Sequence, residues 1–187
     1  RCYFYCYREI YISFSSKVEE YSKDSWYQVD ERKIDQYKHE NFKFKNIELF
    51  NSASSDGKSV PGEPLLLRAS YSSQKDFLSP TFVVKLKDMY GQELLRLSSM
   101  PISGYSIKSV YQNGYLELLM EELPSVSGRY IIDVAFVRER IERIVSLENV
   151  IEFEVAAKDV YGSGFIVNRS QGFLVVRHEW KHEPVCV

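Results

Sequence analysis

Residues 127–137, SGRYIIDVAFV, carry two unlike faces. Tyr130, Ile132, Val134 and Phe136 share one parity, while Ile131, Asp133 and Ala135 share the other. Side chains along a strand alternate sides, so the aromatic and β-branched parity is the one that packs inward.

The same grammar extends in both directions. LLLRASY sets Leu65, Leu67, Ala69 and Tyr71 against Leu66, Arg68 and Ser70. PTFVVKLKDMYGQELLRL reads as a strand, a turn at Tyr90-Gly91 and a second strand. In it Phe82, Val84 and Leu86 oppose Val83, Lys85 and Lys87. GYLELLMEELP divides into Tyr115, Glu117 and Leu119 against Leu116, Leu118 and Met120. FKFKNIELFN alternates through Phe42 and Phe44 and then shifts at Asn46. NVIEFEVA and GFLVVRHEW add two more runs, and RERIERIVSLE between strands reads as a helical turn or a charged hairpin. SSDGKSVPGEP is a turn-rich connection. Short strands at this spacing, without a βαβ rhythm, predict an all-β, antiparallel, immunoglobulin-like sandwich over residues 42–187. Residues 1–41 lack Gly, Pro and β alternation. They read as a linker or N-terminal extension with a loose helical face at Val18, Tyr21, Trp26, Val29 and Tyr37.

Composition excludes several classes. The chain has 187 residues, enough for one well-buried domain. Its net charge of −2 lacks the basic excess that phosphate neutralisation requires, so nucleic acid is not an expected partner. No apolar run reaches transmembrane length. The 3 cysteines, Cys2, Cys6 and Cys186, are odd in number and lack CxxC spacing, which fits a reducing compartment. A chain beginning at Arg1 without a signal peptide reads as a segment of a longer protein. Asn168-Arg169-Ser170 is a glycosylation sequon by pattern only. With 14 Tyr and 11 Phe, the chain suits both a β core and flat amphipathic binding surfaces.

Catalytic readings fail on geometry. His178-Glu179-Trp180-Lys181-His182 satisfies HExxH. That motif needs a helix to bring both imidazoles to one zinc ion. Here it follows an apolar β-branched run, and Pro184 stops any helix of useful length. No GxSxG, GxxxxGK[ST] or GxGxxG is present, and the remaining histidine is His39. Tyr161-Gly162-Ser163-Gly164 has the look of a phosphate loop, but no basic residue stands near, and a turn is the better reading. No enzyme activity, cofactor or metal is expected.

Five stretches in fixed order carry a resemblance: PGEPLLLRASY, PTFVVKLKDMYGQEL, YLELLMEELPSVSGRYIIDVAF, NVIEFEVAAKDVYGSG and GFLVVRHEWK. Together, over residues 42–182, they resemble the C-terminal carbohydrate-binding domain of Wzt-type polysaccharide (O-antigen) ABC-transporter ATP-binding subunits. The resemblance implies an immunoglobulin-like sandwich that dimerises through its last strand. It implies binding of the non-reducing end, often capped, of a lipid-linked O-polysaccharide at the cytoplasmic face of the inner membrane. Partners would be the transporter's ATPase domain and membrane permease. The alternative is a glycan-binding or dimerisation sandwich attached to another polysaccharide-biosynthesis enzyme. Read this way, GFLVVRHEWK is the closing strand and Trp180 a packing anchor.

No binding residue follows from the resemblance itself. From strand parity, Arg68, Lys85, Lys87 and Asp133 face outward, and Arg177 joins them if the last strand keeps that parity. Tyr105 and Tyr111 lie in a Gly- and Ser-flanked connection that can overhang the face. Lys and Arg there suit an anionic cap through charge-assisted hydrogen bonds.

Overall fold

A computed structural model describes residues 26–28, 34, 39–51, 57–138 and 142–181. The described residues form eight strands: β1 (Trp26–Gln28), β2 (Phe42–Asn51), β3 (Leu65–Leu78), β4 (Thr81–Asp88), β5 (Glu93–Ser98), β6 (Ser109–Met120), β7 (Gly128–Arg138) and β8 (Glu142–Val155). They make two four-stranded sheets, in the orders β1-β2-β3-β6 and β5-β4-β7-β8. Every pairing between these strands is antiparallel. The molecule is a β-sandwich.

Its core is the alternation read from sequence. Tyr130, Ile132, Val134 and Phe136 of β7 are all buried, as are Phe82, Val84 and Leu86 of β4. The facing sheet contributes Phe42, Phe44, Ile47 and Leu49 from β2 and Leu65, Leu67, Ala69 and Tyr71 from β3. Aromatic rings bridge the layers. Phe136 stacks on Phe42 with centroids 4.4 Å apart and meets the edge of Phe77 at 6.2 Å. The shift of alternation at Asn46 is a real break in register between Phe44 and Asn46. It lets Phe42, Phe44, Ile47 and Leu49 all point inward despite their uneven spacing.

Two local devices fix the frame. The Tyr130 hydroxyl donates to the Val126 carbonyl at 2.7 Å, four residues back and just ahead of β7. This is the tyrosine-corner contact found in immunoglobulin-like sandwiches. Burial pushes the Tyr130 phenol above its ordinary range. Gly114 of β6 lies opposite Tyr71. A Cβ at 114 would run into the Tyr71 hydroxyl oxygen, so glycine is what lets that ring cross the strand.

The structure differs from expectation at both ends. β1 lies inside the stretch read as a linker, with Trp26 opposite Phe50 and Gln28 opposite Glu48. Ile34 is the single described residue with helical backbone there. The remaining positions of the expected helical face, Val18, Tyr21, Val29 and Tyr37, lie outside the described residues, as do the cysteines. RERIERIVSLE resolves as hairpin rather than helix, since β7 runs to Arg138 and β8 begins at Glu142.

The larger correction concerns the C-terminus. GFLVVRHEWK is not a strand of this sandwich. Residues 156–181 hold one isolated bridge, Leu174 to Ser125. The Val126 amide donates to the Phe173 carbonyl at 3.3 Å, and the Val175 amide to the Pro124 carbonyl at 2.6 Å. The ladder stops there for a local reason: Pro124 has no N–H to return a bond. Trp180 is 91% exposed, so it is not a packing anchor of the core.

Candidate functional site

The outward candidates divide between opposite faces of the sandwich. Lys85, Lys87 and Asp133 share the outer face of β5-β4-β7-β8, and Lys85 and Asp133 are direct cross-strand neighbours. Arg68 lies on the outer face of the other sheet, opposite Glu117. Tyr105 is exposed on the connection between β5 and β6. Tyr111 is exposed too, but inside β6 rather than in a connection. Arg177 is on the C-terminal segment, so no closing strand sets its parity. These residues do not converge on one pocket.

Charge is already matched at each of the four candidate cations, Arg68, Lys85, Lys87 and Arg177. The Lys87 ammonium lies 2.8 Å from the Asp133 carboxylate and donates to the Asn149 side-chain oxygen at 2.9 Å. Asp133 also accepts the Asn149 backbone N–H at 2.8 Å. A register break opposite Asp133 makes this contact: Ile132 pairs with Ile151 but Val134 with Leu147. Asn149 takes φ 53° in the resulting bulge, a conformation Asn tolerates better than most residues. Asp133 therefore faces outward by parity yet is covered. The Lys87 and Asp133 side chains retain only 14% and 11% of their exposure. Lys85 reaches Glu93 at 3.5 Å. Arg96 grips the same carboxylate with two bonds, at 2.7 and 2.9 Å, which holds the Glu93 carboxyl below the usual range. Arg177 pairs with Glu122 at 2.9 Å.

On the other face, Arg68 Nε lies 2.7 Å from Glu117 Oε1. The guanidinium carbon stands 5.5 Å from the Phe50 ring centre and 5.4 Å from that of Tyr115. Strand parity puts Tyr115 and Glu117 on one face but marks neither as a site residue. The pairing that brings them to Arg68 spans 49 residues, and no local pattern encodes such a register.

The YGSG turn contains its own anion. Asp159 accepts the backbone N–H of Gly164 at 2.6 Å and of Tyr161 at 3.2 Å. Gly164 first, then Ser163, Gly162 and Tyr161, hold its carboxyl below the ordinary aspartate range through backbone hydrogen bonds. A phosphate has no vacant cradle to enter. A depressed carboxyl supports the loop above its unfolded value and releases it as pH falls through the folded one. The expected result in an acid titration followed by NMR is a Gly164 amide midpoint below that of an unstructured aspartate. A midpoint at the ordinary value would contradict the cradle.

The C-terminal segment presents an aromatic stack. His178 meets the Tyr161 ring at 5.2 Å and the Trp180 ring at 5.8 Å, both edge-on. Tyr161 donates to the Val176 carbonyl at 2.9 Å. Arg169 ties the segment to the sandwich, lying over Tyr130 at 5.6 Å and Phe173 at 5.9 Å. Phe165, Ile166, Leu174 and Val176 of the same segment are exposed. Asn168 of the sequon accepts both the backbone N–H and the hydroxyl of Ser170, closing a local turn. Backbone over His178–Lys181 is not helical, so the HExxH pattern lacks its scaffold there, and His182 lies outside the described residues. Among the described residues no cluster of His, Cys, Asp and Glu is arranged to hold a metal ion. No described helix is long and apolar enough to cross a membrane.

No protein-family model matches the chain, and no curated protein matches its sequence. Among solved structures, the crystal structure of the C-terminal domain of wzt superposes with a TM-score of 0.59 at 11% identity. The match covers 87% of this chain and 95% of that one. At that identity the likeness establishes architecture, and it is the architecture implied by the five sequence stretches. The chain has the β-sandwich fold of the C-terminal domain of wzt.

Proposed function

We propose that this chain is a non-catalytic glycan-binding module. It recognises the non-reducing end of a lipid-linked O-antigen polysaccharide and couples it to export by an ABC transporter. The observation that carries this reading is the fold shared with the wzt C-terminal domain across nearly the whole chain. Support comes also from the surface, where Tyr105, Tyr111, Tyr115, Tyr161 and Trp180 are exposed. Aromatic faces and polar tips together suit sugar rings. In this role the module works at the cytoplasmic side of the inner membrane, beside an ATPase domain and a permease. It makes and breaks no bonds.

The partner most closely supported is a second copy of this chain. Residues 156–181 expose Phe165, Ile166, Phe173, Leu174, Val176 and Trp180, with backbone bound to the sandwich at one bridge. An apolar segment without a sheet of its own completes itself on another edge. Sedimentation of the protein should show a dimer. Val176→Asp with Trp180→Ala should shift it to monomer while the far-UV spectrum stays unchanged. A wild-type monomer at high concentration would remove the dimer from the proposal.

The glycan reading is tested by titration with lipid-free O-polysaccharide from the source organism, intact and with its terminal group removed. Saturable binding that weakens on removal is expected. A folded protein with no affinity for either form sinks the proposal.

A further inference from the structure

We infer that the outer face of β3 and β6 is built for an uncharged sugar ring, with Tyr115 as the stacking surface and the Arg68–Glu117 pair as its hydrogen-bonding partner. This rests on the glycan-module reading and specifies its ligand class. The alternative class, an anionic cap, needs a cation without a counter-charge beside the stacking ring, and the cation there, Arg68, is paired with Glu117 at 2.7 Å. Lys85, Lys87, Arg68 and Arg177 each face a carboxylate within 3.5 Å. A phosphate or uronate arriving at any of them meets a neutralised cation and a neighbouring anion that repels it.

The Arg68 site has features the other pairs lack. Its guanidinium is fixed by an ion pair and two flanking rings, so few rotamers are lost when a ligand binds. Its side chain is 30% exposed and that of Glu117 13%. Arg donates and carboxylate accepts, which matches hydroxyl groups that do both. Tyr115 is 57% exposed and stands on the same face. Ser70 lies opposite Tyr115, and Ser72 opposite Asn113, extending the polar row along β3 and β6. On the β2 side of the face, Phe50 and Leu66 are buried, so the open part is the β6 half. A sugar ring offers an apolar C–H face to the tyrosine and hydroxyls to the ion pair. Nothing in that exchange requires net charge.

The test uses an array of neutral oligosaccharides and counterparts carrying a uronic acid or a phosphate, followed by titration of the best binder. A neutral glycan should bind, with affinity changed less than about twofold between low and about 0.5 M salt. Tyr115→Ala should weaken it about tenfold, the scale of one lost stacking contact. Glu117→Gln strips the counter-charge from Arg68, so it should weaken neutral binding and create measurable binding of the acidic counterparts. Lys85→Ala should change nothing. Capture of acidic glycans alone by the wild type overturns the inference while the glycan-module reading stands. Neutral binding that survives Tyr115→Ala but is lost in Lys85→Ala does the same. Binding of no glycan by the folded protein overturns both.

Discussion

Phe136→Ala should cost about 3–5 kcal/mol of stability, the range for emptying a buried aromatic site. Phe136 is fully buried near the C-terminal end of β7. It is stacked on Phe42 across the sandwich and set against the edge of Phe77. Removing the ring strips a partner from two other rings in the facing sheet. Close-packed sheets cannot collapse onto the gap without moving both layers. In a domain of this size the midpoint should fall by roughly 10 °C. Leu78→Ala is the matched control: the side chain is exposed at the end of β3, and the change should stay within about 0.5 kcal/mol. Thermal and urea unfolding of both variants checks the pair. Equal, small losses would mean that the two sheets are not held together by this aromatic contact.

That core is legible in the amino-acid sequence because period-two alternation is a local signal. Tyr130, Ile132, Val134 and Phe136 announce their own burial, and even the register break after Phe44 shows as a shift of phase at Asn46. Whatever depends on another strand does not show. Parity places Asp133 outward, but says nothing of the β8 bulge that folds Asn149 over it. Arg68 is visible as an outward cation, while Glu117 and Tyr115 become its partners only through a pairing that spans 49 residues. The Gly and Ser residues around Tyr111 suggest a loop, yet β6 runs through it. GFLVVRHEWK carries genuine strand grammar. Alternation says that a segment suits a sheet and is silent about whose sheet it joins. In this chain Pro124 ends the available ladder after Val175. The candidate surface is therefore half readable: residue types and parity are local, but charge pairing is not. Pairing is what turns the expectation of an anionic cap into that of a neutral sugar.

Asp133→Ala separates a structural charge from a binding one. It should destabilise the protein by about 2 kcal/mol, because it takes the carboxylate away from the largely enclosed Lys87 ammonium and from the Asn149 N–H that it accepts. The cost lies below that of a fully buried pair since Lys87 keeps the Asn149 side-chain oxygen and some solvent. Lys87→Met alone should be milder, because Asp133 still accepts the Asn149 amide. The double variant should recover part of the loss, for an apolar stem next to alanine leaves no stranded charge. A double-mutant cycle should then give a coupling of about 1 kcal/mol or more. Lys85→Met, at a longer and more exposed contact with Glu93, should change stability by about 0–1 kcal/mol. If Asp133→Ala proves neutral to stability, the bulge in β8 holds itself and the carboxylate is available to a ligand. If it destabilises as expected, glycan affinity measured below the unfolding transition should be unchanged. Asp133 is then the residue that fixes β8 against β4, and recognition belongs to the opposite face.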